Sequence, residues 1–319
     1  MKAVLAKLLA VLLGIAVGLA AAEIGVRIYY GTLPKAPEYK MNRRGFRDVE
    51  HALAKPAGTT RIAFVGDSYT FGAMVEFDRT FARRTGDTLR RLYPQREIEV
   101  LNFGVRGANI VKVLNRFKAG GLKFDPDVVV YGFVLNDFTN PEATHRFDRS
   151  FRHEEKRYKL LASLEGFSAL ARFIDWAAFQ LFSKEKQAHL DWLNGTFLPG
   201  RNPYFATSQL ALQELTAIMG RRHGIVLFFP YLAARDEDRL PYYREGKALV
   251  QHACRENGCE FVEVWPLLKH KRFNAWWASP LDHHPNAAAH EIIARALTEA
   301  IRRQGLPDAA PAPAAMEQP

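Results

Sequence analysis

Five short stretches of this chain are dominated by apolar residues: Arg61 to Val65, Glu97 to Phe103, Asp127 to Val134, Ile225 to Tyr231 and Glu260 to Val264. The first, third and fourth scarcely alternate; Val128, Val129, Val130 and Tyr131 run consecutively. A strand with one face in water shows a period of two, whereas a strand buried on both faces does not. Between the stretches lie segments with apolar residues at helical spacing, over Phe77–Leu92, Ile110–Phe117 and Ala287–Arg303. Strand and helix in alternation predict an α/β fold, a parallel sheet covered on both sides. In such sheets the functional groups sit beyond the carboxyl ends of the strands. Ser68, Gly104 and Asn136 each follow the end of a different predicted strand.

Ser68 is the most informative of the three. Gly66-Asp67-Ser68-Tyr69-Thr70-Phe71-Gly72 directly follows the first strand. Glycines on both sides permit a sharp turn that exposes a hydroxyl, as a nucleophile requires. Late in the chain stands Asp282-His283-His284-Pro285-Asn286, followed by a helix. Serine early and Asp/His late is one of the chain orders open to a Ser-His-Asp triad. Ester cleavage by serine needs a base, a group to orient it and donors for the oxyanion. Ser68 reads as nucleophile, His284 as base and Asp282 as the orienting acid. The N–H groups of Ser68 and Gly104 and the side-chain amide of Asn136 read as the oxyanion donors. Asp67 reads as tying down the turn, Asp137 as capping a loop, and His290 as structural or substrate-facing.

Those blocks resemble the SGNH hydrolases, also called the GDSL esterase/lipase family. Gly66-Asp67-Ser68 is similar to the family's first block, and Asn102-Phe103-Gly104-Val105-Arg106-Gly107 to the second. Leu135-Asn136-Asp137 is similar to the third and Asp282-His283-His284-Pro285-Asn286 to the last. Asn42 to Asp48 looks like the lead-in of membrane-anchored bacterial members. Two departures stand out. Val134 occupies a usual glycine position, and Asp282 is two rather than three residues before His284, which leaves His283 as an alternative base. The resemblance spans about Arg61 to Leu297 outside an insertion. It implies a flavodoxin-like three-layer α/β/α fold with a five-stranded parallel sheet, and an acyl-enzyme on Ser68 with no metal and no organic cofactor.

Residues 1–30 stand apart from this body. Lys2 and Lys7 precede an unbroken run of apolar and small residues from Leu8 to Ala22. Positive charge ahead of such a run favours a cytoplasmic N-terminus and an exported body. Cleavage at Ala20-Ala21-Ala22 would release a secreted protein, but apolar character resumes at Ile24, Val26 and Ile28 and brings the run near the ~20 residues of a span. The reading is a single-pass anchor in a bacterial inner membrane with a periplasmic body. Residues 31–58 read as a linker and lead-in, 59–304 as the hydrolase domain, about 140–206 as a helical insertion suited to cap the site, and 305–319 as a disordered tail. Two cysteines, Cys254 and Cys259, are open to a disulfide or to two buried thiols.

The net charge of +10 is spread in pairs such as Arg83-Arg84 and Arg302-Arg303, without the clustered basic and aromatic residues of a nucleic-acid groove. Nucleic acid is therefore not an expected partner; acylated envelope carbohydrate or lipid is. Hydrolysis of such esters is the leading function. Transfer of the acyl group to a sugar hydroxyl, and a non-catalytic carbohydrate-binding role, are the alternatives.

Overall fold

Five parallel strands in the order β2-β1-β3-β4-β5 form the centre of the molecule. The computed structural model describes residues 2–139, 168–171, 173–174, 177, 194–232, 236–280 and 282–306. The strands are β1 Thr59–Gly66, β2 Glu97–Asn102, β3 Val128–Val134, β4 His223–Phe229 and β5 Glu260–Glu263. All fall where the sequence places them, with ends shifted by one or two residues. Every residue of β1 and β3 is buried, which is why neither alternates. Ala63 faces Leu101 on one side and Val129 on the other. This order is the flavodoxin-like one, with its switch point between β1 and β3.

Helices α3 (Phe81–Leu92), α4 (Ile110–Ala119), α5 (Phe205–Gly220) and α6 (Pro241–Asn257) connect or flank the strands, with the short α7 (Trp265–Leu268) and the closing α8 (Ala287–Gln304). The expected helix over Phe77–Leu92 is interrupted. Phe77–Arg79 is a 3-10 turn, and Thr80 starts α3 afresh by accepting a hydrogen bond from the Arg83 N–H. Helices α5 and α6 go beyond what the sequence reading identified. The start of α6 carries a helix-starting proline, Pro241, and its end a left-handed Gly258. A two-stranded hairpin, β6 (Trp277–Ser279) and β7 (Asp282–Pro285), precedes α8.

The chain divides into two compact units, Met1–Pro34 with Thr144–Trp192, and Lys35–Ala143 with Leu193–Pro319. The first contains α1 (Lys2–Thr32), in which Ala6–Thr32 is long and apolar enough to cross a membrane, with a mean hydropathy of 2.3. In the same unit the Glu23 carboxylate accepts hydrogen bonds from Ser168 Oγ and from the Ala169 and Leu170 N–H groups, capping a helical stretch. The charged part of the expected insertion, the capping role given to it and residues 307–319 of the expected tail lie outside the described residues. Within the span read as insertion, Phe197 packs against Phe133 and Phe138, and Asn202 donates to the Phe138 carbonyl at 2.7 Å.

Residues 35–58 are not a loose linker. Phe46 and Arg47 are buried, and Asp48 accepts the Asn102 N–H at 2.8 Å. Of the two readings of the cysteines, the thiol one matches the structure. Both are free, and burial pushes Cys254 up to about 12 and Cys259 to about 11, which keeps them unreactive.

His290 locks α8 to α3. It is 1% exposed, its Nδ1 accepts the Phe81 N–H at 3.0 Å, and its ring stacks on that of Phe81. Burial, helped by the charges of Arg47 and His284, pushes its pKa down to about 3. The unfolded chain would protonate this histidine near its ordinary value of 6.5. Between those values the unfolded state binds the extra proton, so stability falls as pH falls. Melting temperature should decline from ~pH 6.5 towards about 3, and His290→Gln should flatten that slope in a pH series of thermal melts.

Gly104 sits at the end of β2, where its α-carbon lies against the backbone of the helix that carries Ser68. A β-carbon there would come within 2.2 Å of the Phe71 nitrogen and 2.6 Å of the Thr70 carbonyl carbon. Backbone cannot swing aside as a side chain can, so Gly104→Ala should destabilise the fold by about 1–3 kcal/mol or more, read as a fall in denaturation midpoint.

Candidate active site

Ser68 opens the four-residue helix α2 (Ser68–Phe71) directly after β1. Asp67 caps it, accepting the Tyr69 N–H at 2.8 Å, and Gly72 ends it in the left-handed conformation. Gly66 makes the turn possible. Its φ is 154°, and a β-carbon would lie 2.2 Å from Thr70 Oγ1. As first residue of the helix, Ser68 has an N–H with no intrahelical acceptor, on a residue half-buried at the surface.

His284 reaches Ser68 from the hairpin. Its Nε2 is 2.9 Å from Ser68 Oγ, across 216 residues of sequence. Its Nδ1 is 2.6 Å from Asp282 Oδ1, which also accepts the His284 N–H at 2.9 Å. A carboxylate only accepts, so Nδ1 carries the proton and Nε2 is left to accept from the serine hydroxyl. Burial pushes the Asp282 carboxyl up, but the hydrogen bond and charge of His284 outweigh it and hold the group below its ordinary value. Asp282 is thus ionised at neutral pH.

The hairpin sets which histidine faces the serine. Side chains alternate along a strand. The His283 ring stacks on Trp277 at 3.7 Å while His284 points to Ser68. The Trp277 indole N–H donates to the Leu232 carbonyl at 3.0 Å, tying the hairpin to the loop after β4. Asn286 joins hairpin and helix. Its side-chain oxygen caps α8 through the Ala288 and Ala289 N–H groups, and its amide donates to the Ala275 and Trp277 carbonyls.

Asn136 lies in a 3-10 turn, Leu135–Phe138, immediately after β3. Its side chain is close enough to the Asp67 carboxylate to favour the charged form of that group, which places it beside the Ser68 turn. Asp137 is fully buried and accepts from Tyr131 Oη at 2.7 Å and the Val134 N–H at 3.1 Å, so it secures the turn. Burial and the charge of Asp67 drive its carboxyl well above the ordinary range. Burial also raises Asp67, against the Tyr69 N–H, His284, Asn136 and Ser68, which favour its charged form.

The expectation for Gly104 needs correction. Its N–H donates to Asn102 Oδ1 at 2.9 Å and is not presented to a group at Ser68. The same asparagine donates from Nδ2 to the Thr70 carbonyl at 3.1 Å. The glycine is there for close approach to α2 rather than for its N–H. Three residues on, Gly107 has φ 67° in a turn closed by the Ala108 N–H to Val105 carbonyl bond, which leaves its own N–H outside that bond. The Val105 N–H donates to the Gly66 carbonyl at 3.0 Å, so this loop runs alongside the serine turn. The sequence quoted Asn102 and Gly107 within a block without giving either a role. Their signal was their place just past a strand end. Among the described residues no group of three or more His, Cys, Asp or Glu side chains is placed to hold a metal ion.

Similar folds occur in solved structures. An alpha/beta hydrolase enzyme from the metagenome of Lake Arreo is 17% identical, covers 77% of this chain and 96% of its own, and has a TM-score of 0.48. An acetylxylan esterase from Geobacillus stearothermophilus is 17% identical, with 76% and 94% covered and a TM-score of 0.47. A two-domain esterase active on acetylated mannans is 16% identical, with 80% of this chain and 53% of that one covered and a TM-score of 0.46. No curated protein matches the sequence. A family model matches residues 64–292, a span that contains Ser68, Asn136, Asp282 and His284 and more than half of the chain. On that match the chain belongs to the GDSL-like lipase/acylhydrolase family.

Proposed function

We propose that this protein is a serine ester hydrolase that removes acyl or acetyl groups from cell-envelope carbohydrate or lipid, anchored by α1 with its body outside the cytoplasm. The observation that carries the reading is the chain Ser68 Oγ to His284 Nε2 at 2.9 Å and His284 Nδ1 to Asp282 at 2.6 Å. Acyl hydrolysis is also the chemistry in the family's description.

In the first half-reaction Ser68 Oγ attacks the acyl carbonyl carbon while His284 Nε2 takes the hydroxyl proton. Ionised Asp282 faces the imidazolium that forms. The carbonyl oxygen, now negative, is received by the Ser68 N–H and the side-chain amide of Asn136. The Gly107 N–H is the third donor in this reading, in place of Gly104. Collapse breaks the ester C–O bond, and the departing alkoxide takes the proton from Nε2. Water then repeats the sequence on the acyl-enzyme, giving the carboxylic acid and free serine. Preorganised donors of this kind lower the barrier because they need not reorient as charge develops.

Full-length protein should react with a serine-directed fluorophosphonate and hydrolyse short acyl esters. Ser68→Ala should lose both, with kcat down on the order of 10³-fold or more. His284→Ala should be comparably impaired, whereas His283→Ala should keep most activity, since its ring faces Trp277. A dead His283 variant beside an active His284 variant would transfer the role of base to His283. Product analysis with acetylated oligosaccharides, with and without an acceptor sugar, separates hydrolysis from transfer.

The anchoring half of the proposal rests on Lys2 and Lys7 ahead of the apolar run. The protein should stay with membranes after an alkaline carbonate wash, at its uncleaved mass. An alkaline phosphatase fused to the C-terminus should be active. A fusion functional only in the cytoplasm would reverse the topology.

A further inference from the structure

Helix α2 is too short to hold itself. Four residues make almost no internal hydrogen bonds, and helices of this length do not persist alone in water. Its carbonyls must find partners elsewhere, and nearly all of them can be traced. The Ser68 carbonyl accepts the Gly72 and Ala73 N–H groups, and that of Tyr69 accepts Gly72 as well. The Thr70 carbonyl accepts Asn102 Nδ2. Further along, three carbonyls meet one side chain, that of Gly72 accepting the Val75 N–H as well. Arg47 Nη1 donates to the carbonyls of Phe71 at 3.2 Å and Gly72 at 2.5 Å, and Nη2 donates to that of Val75 at 2.6 Å.

This guanidinium is placed in an unusual way. Arg47 is 1% exposed, and among the described residues it forms no ion pair with a carboxylate. It lies over the ring of Tyr39, 4.6 Å from the centroid, and that of Phe71, at 5.3 Å, two rings that meet each other edge to face. Tyr39 in turn accepts the Met74 N–H at 2.9 Å, and Met74 is held at φ 64°. The chain delivers Arg47 inward through a tight loop. Asn42 Oδ1 accepts the Arg44 and Phe46 N–H groups, and Gly45 turns the backbone at φ 74°. Burying a cation is costly unless its donors are satisfied. Here the two terminal nitrogens are aimed at carbonyls at and just past the C-terminal end of a helix, where the peptide dipoles present negative charge, while Nε is buried without a hydrogen-bond partner. Phe71, whose carbonyl and ring both meet the guanidinium, is three residues from the hydroxyl that faces His284.

The geometry points to Arg47 as a positioning residue for the reaction: by gripping the carbonyls of Phe71, Gly72 and Val75 it fixes α2 so that Ser68 Oγ stays in line with His284. It touches no substrate and acts only through the backbone. The inference rests on Ser68 being the nucleophile. Misplacing a reacting atom by about 1 Å costs on the order of 10²-fold in rate. Loss of the grip should therefore appear in kcat and leave substrate affinity nearly intact.

The test uses the full-length protein in detergent, with a short p-nitrophenyl ester as substrate and a fluorophosphonate as probe. Rates are normalised to titrated active sites, so that a merely less stable protein is not counted as slow. Arg47→Met should lower kcat about 10²-fold with KM within about twofold, and the rate constant of fluorophosphonate labelling should fall in parallel. Arg47→Lys keeps the charge but has no planar fork, and should fall between the two. Folding is checked by circular dichroism. If Arg47→Met does not fold, Arg47→Lys decides. If neither folds, Tyr39→Leu decides, since it removes the ring against which the guanidinium is held; a slower labelling rate supports the grip and an unchanged one overturns it. A folded Arg47 variant with wild-type kcat and labelling rate overturns the proposal, as does a loss confined to KM. An unlabelled wild type removes the nucleophile reading and this inference with it, whereas a labelled wild type beside an equally fast variant removes this inference alone.

Discussion

The site depends on one constraint, the need to satisfy the backbone of a four-residue helix at the end of a buried strand. β1 brings the chain to the surface between β2 and β3. The turn at Gly66 and Asp67 then presents Ser68 at a helix start. A helix this short lacks the cooperative hydrogen bonding that stabilises a longer one. The surrounding structure supplies what is missing. Asp67 takes the Tyr69 N–H, Asn102 the Thr70 carbonyl, and Arg47 those beyond. Gly104 leaves room for the β2 loop to lie against the helix backbone.

Charge around this helix is set by burial and by the partners of each group. Asp282 is held ionised against His284, while Asp137 is driven towards its neutral form by burial and by Asp67. His290, stacked under the site on Phe81, is kept neutral, and its lowered basicity traces in part to Arg47. Two carboxylates thus differ in role because their surroundings differ: Asp282 is partly exposed, whereas Asp137 is fully buried. One faces an imidazole that can become positive, and the other faces a tyrosine hydroxyl and a backbone N–H.

Much of the architecture could be read from local pattern. Strands β1, β3 and β4 are nearly continuous in apolar residues because they are buried on both faces. Ser68, Asn136 and His284 stand at junctions where glycine, asparagine and proline mark the chain's change of direction. Helix α5 was harder. Its buried face includes Ser208 and Thr216 as well as Leu212 and Leu215, so no clean stripe sets it apart. Residues 35–58 were harder still. Prolines and charges there have a linker's composition, yet Arg47, like Arg61 in β1, is among the most buried side chains of the protein. Their partners are carbonyls as far as 28 and 63 residues away, respectively, and no window of sequence contains both.

The sequence by itself determined the fold class, the strand positions and the residue types available for acyl chemistry, because burial periodicity and turn chemistry are local properties. Tertiary structure alone decided how those residues are used. It set His284 rather than His283 against Ser68, since the pairing of β6 with β7 sends alternate side chains to opposite sides. It turned the Gly104 N–H towards Asn102, so that the residue's value lies in the missing β-carbon. And it made a buried cation of Arg47, because only in three dimensions do the carbonyls of a short helix converge on one guanidinium.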